Sequence, residues 1–183
     1  AEKGSSLSQL GRHEEALRYY DDALKADPGN PFTLNEKGFS LSQLDRHEEA
    51  LRCYDEALKA DPSDVVTLGN KGLVFSDLYR HEEALRCYDE ALKADPGNIE
   101  ILAEKGFSLA RLGRHEEALR CYDEVLKADP SDVFSLAEKG VSLAGLGRHE
   151  EALRCYDEAL KIKPASLWIL TKKDASLDEL SQH

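Results

Sequence analysis

Eleven residues, RHEEALRCYDE, stand unchanged at 46–56, 80–90, 114–124 and 148–158, and recur as RHEEALRYYDD at 12–22. Each copy runs through a few helix-favouring residues to a proline: Pro28, Pro62, Pro96, Pro130 and Pro164, 34 residues apart each time. A fixed period of this size marks an array of small structural units. Such units bury their apolar faces against their neighbours, so a single globular core is not expected.

The repeated stretch reads as one amphipathic helix. In 46–62, Ala, Leu, Glu, Arg and Lys dominate, all good helix formers. Glu48 and Glu49 fall in the first turn, where the helix dipole favours negative charge. Glu48–Arg52, Arg52–Glu56 and Asp55–Lys59 are opposite charges four apart and predict a solvated face. His47, Ala50, Leu51, Tyr54, Ala57 and Leu58 fall on the other side and predict a buried one. Pro62 stops the helix or closely follows its end.

A helix this short is marginal alone. Its partner precedes it, in 33–44, 67–78, 101–112 and 135–146, where apolar residues such as Leu34, Leu41 and Leu44 recur at helical steps. Gly38, Gly72, Gly106 and Gly140 sit mid-segment, each after a lysine. A glycine inside a helix costs about 1 kcal/mol against alanine, so its repetition predicts a close helix approach. The linkers LDRHE, LYRHE and LGRHE leave room only for a tight turn. Each unit is therefore a helical hairpin.

Charge and cysteine usage narrow the function classes. The formal net charge of −12 argues against a nucleic-acid backbone as partner. There is no apolar run long enough for a membrane span and no visible signal peptide. The chain opens at Ala1 in the middle of a unit, so a fragment of a longer protein is expected. Cys53, Cys87, Cys121 and Cys155 share one place in the unit. Equivalent residues in stacked helices stand roughly 8–10 Å apart, too far for a disulfide, which needs Cα atoms within about 7 Å. Free, partly buried thiols are expected, and they favour a reducing compartment. A cytoplasmic location follows as an expectation.

The second unit places Leu34, Lys37-Gly38, Leu41, Ala50, Tyr54, Ala57 and Pro62 along its 34 residues. In this the chain resembles the tetratricopeptide repeat, whose pattern has a Gly, a Tyr, two Ala and a closing Pro in this order. Leu34, Lys37 and Leu41 depart from the family's aromatic, Leu and Tyr. The resemblance implies an all-α, right-handed superhelical solenoid of stacked helix-turn-helix hairpins. The array spans 1–183: a truncated repeat at 1–30, full repeats at 31–64, 65–98, 99–132 and 133–166, and a capping helix at 167–183. Trp168 is expected to pack within that cap.

The resemblance also implies a function. The second helices are nearly identical and suit a convex scaffold; the first helices differ, and in this family they line a concave groove that holds ligands. Carried over, the groove presents Phe32, Asn35, Glu36, Phe39 and Gln43, then Val66, Asn70, Leu73 and Asp77. It continues with Glu100, Ala103, Glu104, Phe107 and Arg111, then Phe134, Ala137, Glu138 and Val141. Phe39, Leu73, Phe107 and Val141 form an apolar track flanked by the acids. The expected partner is a protein or peptide with apolar anchors and basic flanks. Apart from Arg111, the face carries almost no cations, so the carboxylate clamp some family members use is not expected. Self-association through the repeat ends is a second reading, and an engineered or recently duplicated array without a ligand is a third.

Catalysis finds no support. His13, His47, His81, His115 and His149 recur as RHEE, but HExxH is absent, and packing is their expected role. No Gly-rich phosphate loop, nucleophile elbow, CxxC pair or Cys–His constellation occurs in the sequence. A non-catalytic interaction scaffold is expected, with no metal and no cofactor.

Overall fold

A computed structural model describes residues 2–181. Among these residues there are eleven helices and no strand. The first helices of the hairpins (A helices) are α1 (Glu2–Gln9), α3 (Pro31–Ser42), α5 (Val65–Asp77), α7 (Ile99–Arg111) and α9 (Val133–Gly145). The second (B helices) are α2 (His13–Ala26), α4 (His47–Ala57), α6 (His81–Ala94), α8 (His115–Ala128) and α10 (His149–Ile162). A last helix, α11 (Leu167–Ser181), stands in the A position of a sixth hairpin. Residues 1, 182 and 183, which the expected first repeat and cap include, lie outside the described range.

Two compact units make up the chain, Ala1–Pro96 and Gly97–His183. In the first, each of α2 and α4 packs on its own A helix and on the next one, and α6 packs on α5. In the second, α8 packs on α7 and α9, and α10 on α9 and α11. Ala50, Leu51, Tyr54 and Ala57 are all buried, as the periodicity requires, and the equivalent Tyr20, Tyr88 and Tyr122 are fully enclosed. These tyrosines are the largest side chains at the centre of each hairpin, and they explain the glycines. A Cβ on Gly38 would lie 2.5 Å from Cε1 of Tyr54, and one on Gly140 would lie 2.4 Å from Cε1 of Tyr156.

Local chemistry fixes the helix starts. The A helices follow a loop ending in Asn30, Asp64, Asn98 or Asp132, whose side-chain oxygen accepts from the backbone N–H of Thr33, Thr67, Ile101 or Ser135. The turns into the B helices need one left-handed residue. Gly11, Gly113 and Gly147 supply it freely, while Asp45 (φ 57°) and Tyr79 (φ 58°) adopt it at a cost.

The charged faces differ from the expected ladder. The ion pairs run three apart, not four: Arg46 grips Glu49 with two bonds of 2.7 Å, and Lys59 meets Glu56. Asp55, the expected partner of Lys59, is taken by Lys71 of the next helix. Arg46 is the residue preceding the helix, so its guanidinium swings forward over the first turn. These pairs are exposed and add little stability. Lysines at one place in the A helices, three of them before the mid-helix glycine and Lys173 before Asp174, bridge helices. Lys37 pairs with Asp21, Lys71 with Asp55, Lys139 with Asp123 and Lys173 with Asp157, at 2.6–2.7 Å. Each ties an A helix to the B helix before it.

None of the four cysteines forms a disulfide. Burial pushes the Cys53, Cys87 and Cys155 thiols up, against the pull of the nearby Lys37, Lys71 and Lys139. They are thus less reactive than ordinary thiols. No group of three or more potential metal-binding side chains occurs among the described residues, and no helix is long and apolar enough to cross a membrane.

Candidate functional site

In the first unit the A helices α1, α3 and α5 are joined by side-chain hydrogen bonds. The Ser40 hydroxyl donates to the Ser8 hydroxyl at 3.0 Å. Asn35 accepts on its carbonyl oxygen from the Thr67 hydroxyl and the Asn70 amide, each at 3.2 Å. Asn35 is buried by this contact, so it stitches α3 to α5 beneath the surface. Glu36 accepts from the Tyr20 hydroxyl at 3.3 Å and is half-buried. Above them, Phe32, Phe39, Val66 and Leu73 are exposed, with Phe39 and Leu73 both 39% accessible. Gln43 and Asp77 are exposed at the helix ends and Asn70 is half-buried.

The second unit presents a different surface. Phe107 and Phe134 meet with ring centroids 6.0 Å apart, and the Arg111 guanidinium lies 4.6 Å over the Phe107 ring. Phe134 and Arg111 are exposed, while Phe107 is half-buried between them. Glu100 is exposed, and Ala103 and Glu104 are half-buried. Ala137 and Glu138 are buried, and Val141 packs against the core.

Glu138 is the unusual member. It is 4% accessible on the A-helix face of α9. Burial pushes its carboxyl up, while Arg111 on α7 and Lys172 on α11 pull it back. Tyr122 on α8 is raised by burial and then by the Glu138 charge. Tyr156 on α10 is pushed up to about 12, mainly by its own burial.

The predicted track thus divides. Phe39, Leu73, Phe107 and Val141 repeat at one position, but only the first two are exposed. The predicted acids divide as well. Asp77 and Glu100 face solvent, whereas Glu36 and Glu138 are drawn into the tyrosine layer. Trp168, expected to pack inside the cap, is 43% accessible at the position that Phe134 holds in the preceding hairpin. It belongs to the exposed aromatic set.

The periodicity also missed residues at the edge of this surface. The His13 ring meets Phe39 edge-on at 6.1 Å, and a Cβ on Gly145 would lie 2.6 Å from Nε2 of His115. The histidine that opens a B helix therefore packs toward the end of the next A helix. The two contacts fall 26 and 30 residues after the histidine, one helical turn apart on the A helix. Two open hollows, of about 530 and 190 Å³, lie elsewhere, one along α8 and one where α3 meets α4. Charged side chains dominate the first lining and make up half of the second, and no aromatic residue lines either.

Paired helices with a shared tyrosine–glycine contact and a varied A-helix face define a helical repeat scaffold. Family models agree: residues 6–105 match the Psidin N-terminal TPR repeats region, and residues 103–166 match the tetratricopeptide repeat. The chain belongs to the tetratricopeptide-repeat family. Several solved structures share the fold. YrrB, described as a TPR protein with an unusual peptide-binding site, is 26% identical with a TM-score of 0.81, over 93% of this chain and 88% of that one. MamA from Desulfovibrio magneticus is 19% identical with a TM-score of 0.83, over 91% and 94%. A tetratricopeptide repeat protein from Parabacteroides merdae is 20% identical with a TM-score of 0.86, over 98% and 72%. No curated protein matches the sequence.

Proposed function

We propose that this chain is a non-catalytic interaction scaffold whose A-helix faces bind a protein segment, extended or helical, through apolar anchors with basic flanks. The observation that carries the reading is the row of exposed apolar side chains in the first unit: Phe32, Phe39, Val66 and Leu73. Large apolar groups clustered on one face of a monomer mark an interaction surface more often than chance exposure. Phe107, Phe134 and Trp168 supply the equivalent aromatic set in the second unit. The acids Asp77 and Glu100 at the edges favour Lys or Arg beside the anchors, with an attraction that weakens as salt rises. The peptide-binding site described for YrrB supports a peptide as the kind of ligand.

Selection from a random peptide library on the immobilised chain tests this. Enriched peptides should carry apolar residues next to Lys or Arg. Truncating an anchor aromatic commonly costs more than about 2 kcal/mol at an interface. Phe39→Ala and Phe107→Ala should therefore each weaken binding at least about tenfold by calorimetry, with helicity unchanged. Arg120→Ala on the B layer should bind like the parent. If both Phe variants bind normally, the A-helix face is not the site. If they chiefly unfold the array, these side chains are core.

A further inference from the structure

The helix α11 is docked as an A helix but is only partly covered. Ile169 and Ser176 are its buried residues. Leu167, Leu170, Leu177 and Leu180 repeat the positions of Val133, Leu136, Leu143 and Leu146 one period earlier. In that hairpin α10 covers the face, and Leu136 and Leu143 are 4% and 3% accessible. On α11 the four leucines are 76%, 38%, 44% and 38% accessible.

A further B helix is not what this face is shaped for. Each preceding A helix has a glycine where the tyrosine of its own B helix crosses, because a Cβ there would fall 2.3–2.7 Å from the ring. Asp174 occupies that point on α11. Its Cβ alone would strike such a tyrosine, and its carboxylate would be driven into an apolar interface.

The face is, however, complementary to itself. Its leucines lie symmetrically about the midpoint between Lys173 and Asp174. An antiparallel copy centred there sets Leu167 against Leu180 of the second copy, Leu170 against Leu177 of the second copy, and Lys173 against Asp174 of the second copy. With 3.6 residues per turn, these six positions fall within an arc of about 140°, one side of the helix. Lys173 already holds Asp157 at 2.6 Å along the edge of this face. Its ammonium has three donors and can meet a second carboxylate. Trp168 points away from this arc, so this surface stands independently of peptide binding on the A-helix faces.

We infer that the leucine face of α11 is a homodimer surface, seating antiparallel on α11 of a second copy about a two-fold axis between Lys173 and Asp174. The interface is isologous, so each contact occurs twice. With four leucines per chain it makes a weak, concentration-dependent dimer.

Light scattering behind size-exclusion chromatography, across low to high micromolar chain, tests the assignment. The parent should move from one to two chain masses. Leu177→Glu places two charges in the symmetric interface and should weaken the dimer at least about tenfold, while its circular-dichroism melt stays that of the parent because Leu177 is exposed. Lys173→Asp and Asp174→Lys should each weaken association, by setting like charges opposite one another. The double exchange should recover it, although it still lacks the Lys173–Asp157 pair. A parent monomeric throughout, or a dimer indifferent to Leu177→Glu, overturns the surface. Charge variants that weaken singly and do not recover together overturn the antiparallel arrangement.

Discussion

Replacing Gly72 with alanine should destabilise the protein although alanine is the better helix former. The gain is about 1 kcal/mol of helix propensity. Against it stands the Tyr88 ring. A Cβ on Gly72 would lie 2.3 Å from Cε1, 2.8 Å from Cδ1 and 2.9 Å from Cζ, where ordinary contact begins near 3.4 Å. The ring must retreat by more than 1 Å, and it is fully enclosed beside the fully buried Ala84 and Ala91. Overpacking of this kind costs about 1–3 kcal/mol, and an aromatic ring with no free side falls at the upper end. The net loss is about 2 kcal/mol, a fall of roughly 4–8 °C in the melting temperature. Asp174→Ala is the matched control. It places alanine at the equivalent point of α11, where no tyrosine crosses among the described residues, and it should melt at or slightly above the parent. Thermal and urea melts followed by circular dichroism read both variants. A Gly72→Ala protein that gains the propensity increment would refute the account of the glycines.

Further outcomes are expected. Tyr79→Gly relieves a left-handed backbone at an exposed turn and should stabilise by about 1 kcal/mol, read by urea denaturation. Glu138 titrates above the ordinary carboxyl range, so its protonated form is the one favoured by folding. That stabilisation is present below about pH 4.3 and is lost as pH rises through the shifted value. Glu138→Gln should therefore raise the melting temperature at neutral pH and change it little near the low end of that window. All four cysteines should titrate as free thiols in denaturant without reductant. In the native state alkylation of Cys53, Cys87 and Cys155 should be slow, because burial raises these thiols and depletes the thiolate. Asp132→Ala removes the cap on the Ser135 N–H and should cost about 1 kcal/mol, seen as a lower melting temperature.

The hairpins were legible because the same local problem is solved five times over. A 34-residue period, a proline after each B helix and a mid-helix glycine leave one arrangement of helix, turn and helix. Tyrosine against glycine is the contact that makes the pattern necessary, and both residues were visible in the sequence. The A-helix face was legible only as a direction around a helix. Spacing shows that Glu36, Asn70, Glu104 and Glu138 point the same way, but not what the next A helix sets beside them. Glu36 finds the Tyr20 hydroxyl, whereas Glu138 is enclosed between Tyr122, Tyr156 and the α11 side. The ion pairs failed for a related reason. The four-residue rule sees only one helix, and Asp55, expected to meet Lys59, is held by Lys71 on the next A helix.

The division between constant B helices and variable A helices has a physical basis that reaches to the chain's last helix. Within each unit a B helix must fit its own A helix and the next, so two of its faces are committed and its tyrosine must meet a glycine. An A helix likewise meets the B helices before and after it, and only the face left over is free to vary, as Phe39, Leu73, Phe107 and Val141 do. Gly4, Gly38, Gly72, Gly106 and Gly140 keep the obligation. Asp174 breaks it while leaving the leucines that a B helix would cover. Exposed apolar side chains gathered on one face favour association. Retaining them, and placing Lys173 and Asp174 at their centre of symmetry, fits a face that has exchanged one partner helix for another.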